Sequence, residues 1–173
     1  MPPTDWRAQR RLSRLQRLIP RCAGAGATNP GRCSTPEPQA CSTITDLQSA
    51  VAIVRTAARE NGGLNLDIWH ATRGAWPRAE LAALSRDEIV VAQIDDGPLT
   101  PITTDYLAEC THYRMAPGEG EFDIAGFLSV VYGTGTTAPV SVEVMSDELD
   151  ELPVQTAAER LATATRRVLS GMG

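Results

Sequence analysis

The sequence predicts a parallel α/β fold, and three observations carry that prediction. Segments with apolar residues at i, i+3 and i+4 alternate with short apolar runs, in the order helix, strand, helix, strand, helix, strand, helix. Each apolar run is interrupted by polar residues in one phase of a period of two, as a strand requires. With 173 residues, 42% of them hydrophobic, the chain is long enough to bury a core. No apolar run approaches the roughly 18 residues of a membrane span. Fourteen Gly and twelve Pro are too few for a collagen-like or wholly disordered chain.

Residues 1–41 read differently from the rest. They carry seven Arg against two acids, whereas residues 42–173 carry nine Arg against nineteen acids. Residues 5–19 have Trp6, Leu12, Leu15, Leu18 and Ile19 near helical spacing, and Pro20 ends that pattern. Residues 23–40 have many breakers and no periodicity, so an irregular basic leader is expected. Cys22, Cys33, Cys41 and Cys110 form no CxxC pair and follow no secretory signal. They are expected as reduced thiols, in the cytoplasm.

Regular structure is expected from Thr45. Thr45 and Gln48 fit a capping box for a helix carrying Leu47, Ala50, Val51, Val54 and Ala57 on one face, stopped at Asn61-Gly62-Gly63. A strand is expected over residues 64–69, then a helix over 77–84 with Pro near its first turn. A second strand is expected over 89–94, and a helical turn near 105–110. Asp123 is placed to cap a helix carrying Ile124, Phe127, Leu128 and Val131. A third strand is expected over 140–145, and a last helix from Pro153 to near Gly171. Two architectures fit this order: an open doubly wound sheet and a segment of a (β/α)8 barrel. No GxGxxG or Walker loop follows a strand, so nucleotide-binding versions are not supported.

The polar phase points to a site. Asn65 and Asp67 lie opposite Leu64, Leu66 and Ile68; Gln93 and Asp95 lie opposite Val90, Ala92 and Ile94; Ser141 and Glu143 lie opposite Val140, Val142 and Val144. Strands of a buried parallel sheet are near-continuous hydrophobics, so an Asp, a Gln and a Glu there need a reason. All three fall near C-terminal strand ends, where α/β sites are built. Three oxygen donors, two of them anionic, suit a hard divalent cation. The competing reading is that these are buried acids ion-paired with Arg73 or Arg114, or strand-end groups exposed to water. His70 follows Asp67 by three residues, where it can bind a substrate oxygen or move a proton. Arg114 opens a turn-rich loop and can grip a substrate oxygen. The acidic body is a poor partner for a phosphate backbone, so neither nucleic acid nor membrane is expected as a partner.

The segments LDIWHATRG, VVAQIDDG, RMAPGEGEFDIAGFL and APVSVEVMS together resemble the sugar isomerase/epimerase family with the xylose-isomerase-like TIM barrel. The resemblance covers about residues 45–169 and implies the C-terminal portion of a (β/α)8 barrel, about three strands with their helices, in residues 42–173. It implies a divalent metal (Mn, Mg or Co) held by Asp67, Gln93 and Glu143. Glu143 would also be the base, His70 and Arg114 would contact substrate, and His70 would share in catalysis. Gln93 stands where the family usually has His, as in the bacterial 3-dehydroshikimate dehydratases of the same superfamily. The family's first metal ligand, a Glu on an earlier strand, has no counterpart, and a whole barrel takes roughly 250 residues.

The expected activity is metal-dependent proton transfer alpha to the carbonyl of a small keto-sugar or polyol derivative. The alternatives are a 3-dehydroshikimate dehydratase-like lyase and an incomplete fragment with no activity alone. Self-association through open sheet edges is expected.

Overall fold

The computed structural model describes residues 33–34 and 44–172. After β1 (Cys33–Ser34) come α1 (Leu47–Ala57), β2 (Gly62–Asp67), α2 (Ile68–Arg73), α3 (Arg78–Ala82), a 3-10 turn (Arg86–Glu88) and β3 (Ile89–Ile94). The chain continues through α4 (Tyr106–His112), α5 (Ile124–Gly133), β4 (Val140–Val142), α6 (Asp147–Asp150) and α7 (Val154–Ser170).

The four strands are parallel and lie in the order β1-β2-β3-β4. A doubly wound sheet reverses its strand order at a switch point; this one runs in sequence throughout and is an arc of a barrel. Leu64, Leu66, Ala92 and Ile94 face the helices and are buried with Leu47, Ala50, Leu81, Leu84, Leu128 and Val131. Asn65, Asp67 and Gln93 occupy the opposite phase. Register pairs Asp67 with Gln93 and Gln93 with Ser141, so the polar phase is continuous across three strands. A register shift between Leu64 and Asn65 lets Ile89, opposite Leu64, join the helix-side core while Val91 sits opposite Asn65.

Local differences from the sequence reading have physical causes. The cap of α1 is Asp46, not Thr45: its carboxylate accepts the Ser49 N–H at 2.8 Å and the Ser49 hydroxyl at 2.8 Å. An ionised acceptor at the positive end of a helix outcompetes a neighbouring hydroxyl. Gln48 does not reach back; its amide donates to Glu80 Oε1 at 3.0 Å. The helix ends at Ala57 with Ala58 left-handed, and both glycines beyond it belong to β2. The apolar run at 64–69 is not one strand, because Asp67 accepts the Trp69 N–H at 2.6 Å and starts α2. The third strand stops at Val142, one residue before Glu143. Asp123 caps α5 as expected, accepting the Gly126 N–H at 2.9 Å.

Cys33–Ser34, inside the segment expected to be irregular, joins the sheet beside Gly62 and Gly63. The basic amphipathic pattern at 5–19, Cys22 and Cys41 lie outside the described residues. Cys110 is buried. Among the described residues, no helix is long and apolar enough to cross a membrane.

Candidate metal and substrate site

The site is built at the C-terminal ends of β2, β3 and β4, on the face away from the helices. Asp67 closes β2 and is fully buried; one oxygen caps α2 and the other, Oδ2, accepts from Arg114 Nη1 at 2.8 Å. Gln93 is its register partner on β3, and Gln93 Oε1 accepts from the Asn65 amide. Glu143 follows β4, its N–H donating to Ile94 O at 3.3 Å, and its side chain is 39% exposed. Glu143 Oε2 lies 3.5 Å from the same Arg114 Nη1. One guanidinium nitrogen thus stands within 3.5 Å of both carboxylates.

Arg114 is held from all sides. Its backbone N–H donates to Met145 O at 3.1 Å, tying its loop to the chain after β4. Its Nε donates to Cys110 O and its Nη2 to Cys110 Sγ, both at 3.0 Å. Its Nη1 also donates to Asp95 Oδ2 at 2.5 Å. The ion-pairing that the sequence offered as a competing reading is therefore present for Arg114, with Asp67 and Glu143, and Asp95 joins it. Arg73 instead pairs with Glu109 at 3.1 Å and donates to Pro98 O at 2.8 Å, clamping the chain after β3 under Trp69 and Phe122.

His70 lies in α2 and is 2% exposed. Its Nδ1 is 2.5 Å from the Tyr106 hydroxyl, and its Nε2 is 3.4 Å from Arg114 Nη2 and 4.0 Å from Asp67 Oδ2. His70 therefore joins the cluster of Asp67, Glu143 and Arg114, with Gln93 beside Asp67 across the β2–β3 register. Trp69 is core, at 0% exposure. His112 is at the surface, 2.7 Å from Asp147 Oδ1.

Two buried residues of the cluster are not singled out by the sequence reading. Asp95 continues the polar phase of Gln93 and was legible on that ground. Its Oδ1 is buried with no hydrogen-bond partner. Burial first, then the Asp67 carboxylate, pushes its carboxyl well above the ordinary range, against the pull of Arg114. Burial works against the Arg114 charge, yet Asp67 and Asp95 outweigh it and raise its pKa. Asp96 organises the loop that carries Arg114: Oδ1 accepts the N–H groups of Gly97 and Phe122, Oδ2 accepts that of Gly118, and its backbone exchanges two hydrogen bonds with Met115. Gly120 leaves no room for a side chain there, since a Cβ would stand 2.5 Å from Asp96 Oδ1 and 2.6 Å from Gly97 N.

The donors present fit a hard divalent cation in kind: two carboxylates and the amide oxygen of Gln93, all oxygen, from three adjacent strand ends. The Asp95 carboxyl, with one oxygen orphaned, shares Arg114 Nη1 with Asp67. Among the described residues, no three His, Cys, Asp or Glu side chains meet with metal-ligand spacing.

A sequentially ordered parallel arc with acidic oxygens at its strand ends defines a (β/α)-barrel protein with its site at the C-terminal mouth. The profile of the xylose isomerase-like TIM barrel family matches residues 28–168, and the chain belongs to that family. It is 35% identical over 115 residues to the 3-dehydroshikimate dehydratase of Pseudomonas aeruginosa, covering 66% of this chain and 18% of that protein. It is 30% identical over 128 residues to the inosose isomerase of Bacillus subtilis, covering 74% of this chain and 45% of that protein. Among solved structures, the IolI protein with a bound zinc atom superposes with a TM-score of 0.76 at 25% identity, over 96% of this chain and 57% of that one. The chain thus spans less than half the length of the curated relatives it matches.

Proposed function

We propose that the chain serves divalent-metal-dependent proton transfer at the carbon next to the carbonyl of a small keto-sugar or polyol derivative, as in an isomerase or epimerase. The observation that carries this reading is the convergence of Asp67 and Glu143 within 3.5 Å of Arg114 Nη1, at the ends of β2 and β4. Asp67, Gln93 and Glu143 would hold the metal, with Mn, Mg or Co as its class. When bound, such an ion polarises a carbonyl oxygen and its neighbouring hydroxyl.

The rest falls to the chain's own groups. Glu143, partly exposed at the mouth, is the base that takes the proton from the carbon alpha to the carbonyl. His70 Nε2 accepts a substrate hydroxyl. Arg114 keeps Asp67 and Glu143 oriented, and a substrate oxygen reaches it by replacing one of those contacts. Proton return to the neighbouring carbon gives isomerisation; return to the opposite face of the same carbon gives epimerisation.

A second reading, a 3-dehydroshikimate dehydratase-like lyase, has its own support. Gln93 stands where the resemblance usually places His, and the dehydratase of Pseudomonas aeruginosa shares 35% identity over 115 residues. Both reactions begin with the same proton abstraction and differ in whether hydroxide then leaves. Incubation of the chain in D₂O with Mn²⁺ and a polyhydroxylated cyclohexanone, followed by NMR, tests the shared step. Deuterium is expected alpha to the carbonyl, and Glu143→Gln should slow its entry about 10²–10⁴-fold. Exchange that is unaffected by Glu143→Gln overturns the assignment. Loss of water from 3-dehydroshikimate would select the lyase.

A further inference from the structure

We propose that Asn65 is a positioning residue for Gln93: its side-chain amide donates to Gln93 Oε1 and holds the oxygen end of that amide toward β2, the strand that carries Asp67. What this does for a metal rests on the function proposed above. The orientation of Gln93 does not, because it follows from the sheet and from one hydrogen bond across it.

The sheet brings the two side chains together. Register sets Asn65 opposite Val91 and Asp67 opposite Gln93. Asn65 and Gln93 are therefore diagonal neighbours on one face, a separation that long side chains span. The shift between Leu64 and Asn65 produces this alignment. Counting on from the Leu64–Ile89 pair without it would set Asn65 opposite Val90 and Asp67 opposite Ala92, and the polar phases of the two strands would part.

The chemistry makes the contact selective. A glutamine amide has two ends of nearly the same shape, and only the oxygen accepts a hydrogen bond or coordinates a hard cation. A carboxylate has two equivalent ends and needs no such choice. Asn65 Nδ2 donates to Gln93 Oε1. Turned over, the Gln93 amide would set its NH₂ group against that of Asn65, donor against donor. The bond uses one lone pair of Oε1 and leaves the second for the site.

The energetics of Asn65 point the same way. It is 9% exposed, in a strand whose residues are all buried, and its own Oδ1 is buried without a hydrogen-bond partner. A buried acceptor left unsatisfied costs stability, and an apolar residue of the same shape carries no such cost. Gln93 is only half-buried, so water can satisfy its oxygen if Asn65 is lost. Asn65 is therefore a poor choice for stability and a suitable one for orienting Gln93.

The test uses the full chain. It begins without metal, by ¹⁵N-resolved NMR of side-chain amides. The chain has three asparagines, and loss of a signal in Asn65→Leu assigns Asn65. One Asn65 Nδ2 proton should lie downfield, as a hydrogen-bonded proton does. Gln93→Met, which keeps the length and removes the acceptor, should return it upfield. A downfield proton on Gln93 Nε2 instead, or an Asn65 signal unchanged in Gln93→Met, overturns the proposal.

Calorimetry with Mn²⁺ and thermal melting form the second arm. Asn65→Leu should bind Mn²⁺ about 10-fold more weakly, as loss of a ligand's orienting partner does, while melting at or above the wild-type temperature. Added to Gln93→Met, the same change should weaken binding no further, because the two residues act as one unit. Unchanged affinity in Asn65→Leu, beside a loss in Gln93→Met, overturns the proposal. So does a clearly lower melting temperature or a failure of Asn65→Leu to fold, either of which would make Asn65 a stabilising residue. Mn²⁺ binding that Gln93→Met leaves unchanged defeats the metal reading of Gln93, and the amide signals then decide the role of Asn65 by themselves.

Discussion

At the scale of single residues, the decisive feature is one buried guanidinium among three carboxylates. Arg114, Asp67 and Asp95 are each about 99% removed from solvent. Removing the cation strands the acids, which for a buried pair costs about 3–5 kcal/mol; Arg114→Met should lower the unfolding free energy by that amount in urea titration. Asp95 makes the complementary prediction. Its folded pKa is raised above its ordinary value of 3.8, mainly by burial. A carboxyl raised in the native state contributes stability that is present below its unfolded pKa and is lost as pH rises through its folded pKa. Asp95→Asn keeps an oxygen for Arg114 and removes that loss. Its stability relative to the wild type should therefore increase as pH rises above the ordinary carboxylate range; a difference that stays flat or falls contradicts the assignment. Calorimetric titration with Mn²⁺ should show weak binding that Glu143→Ala abolishes, and tight binding that survives this change would place the ion elsewhere. Asp67 and Gln93 were legible because a period of two exposes a polar residue within a strand, and Glu143 because it continues that period one residue beyond β4. The grip of Arg114 on Asp67 was legible only as one of two options, since the two are 47 positions apart and their meeting depends on how the loop after α4 returns to the strand ends.

Elements show a similar division between what pattern reveals and what competition decides. Alternation located β2, β3 and β4, and helical spacing located α1, α5 and α7, because burial of one face dominates each. Their ends were less legible. Thr45 and Asp46 both satisfy a cap, and only the position of Ser49 selects the acid. Asp46→Ala should then cost about 1 kcal/mol, and Thr45→Ala clearly less; equal losses in denaturant titrations would return the cap to Thr45. The break at Asp67 was hidden because Ile68 and Trp69 continue an apolar run, while the side chain that ends the strand is also the one that caps α2. The PGEGE loop has a spacing that a sequence reading sees and a cause that it does not. Gly118 takes a φ of 83°, and Gly120 lies against Asp96 and Gly97. Gly120→Ala should cost about 1–3 kcal/mol through overpacking and, by shifting the loop that begins at Arg114, should weaken the deuterium exchange as well.

For the whole molecule, the question is what covers the sheet. A closed barrel has no free strand edge, and its inner face is filled from every side. Here β4 is the last strand in the order β1-β2-β3-β4, so one of its edges carries no ladder among the described residues. Among the described residues, Leu64, Leu66, Ala92 and Ile94 meet the helices from the face opposite Asn65, Asp67 and Gln93. The family closes this arc with further strands, and the chain covers 45% of the inosose isomerase of Bacillus subtilis. Exposed N–H and C=O groups along an edge template pairing with another chain. The net charge of −5 slows precipitation but cannot satisfy backbone groups. We therefore predict that the 173-residue chain self-associates through this edge at micromolar concentration. Sedimentation velocity should show species heavier than 18.5 kDa whose proportion rises with concentration. A lysine placed at Ser141, whose strand forms the edge, should reduce that association, because charged edge side chains block pairing. A monodisperse 18.5 kDa species that melts cooperatively would show that the sheet needs no partner.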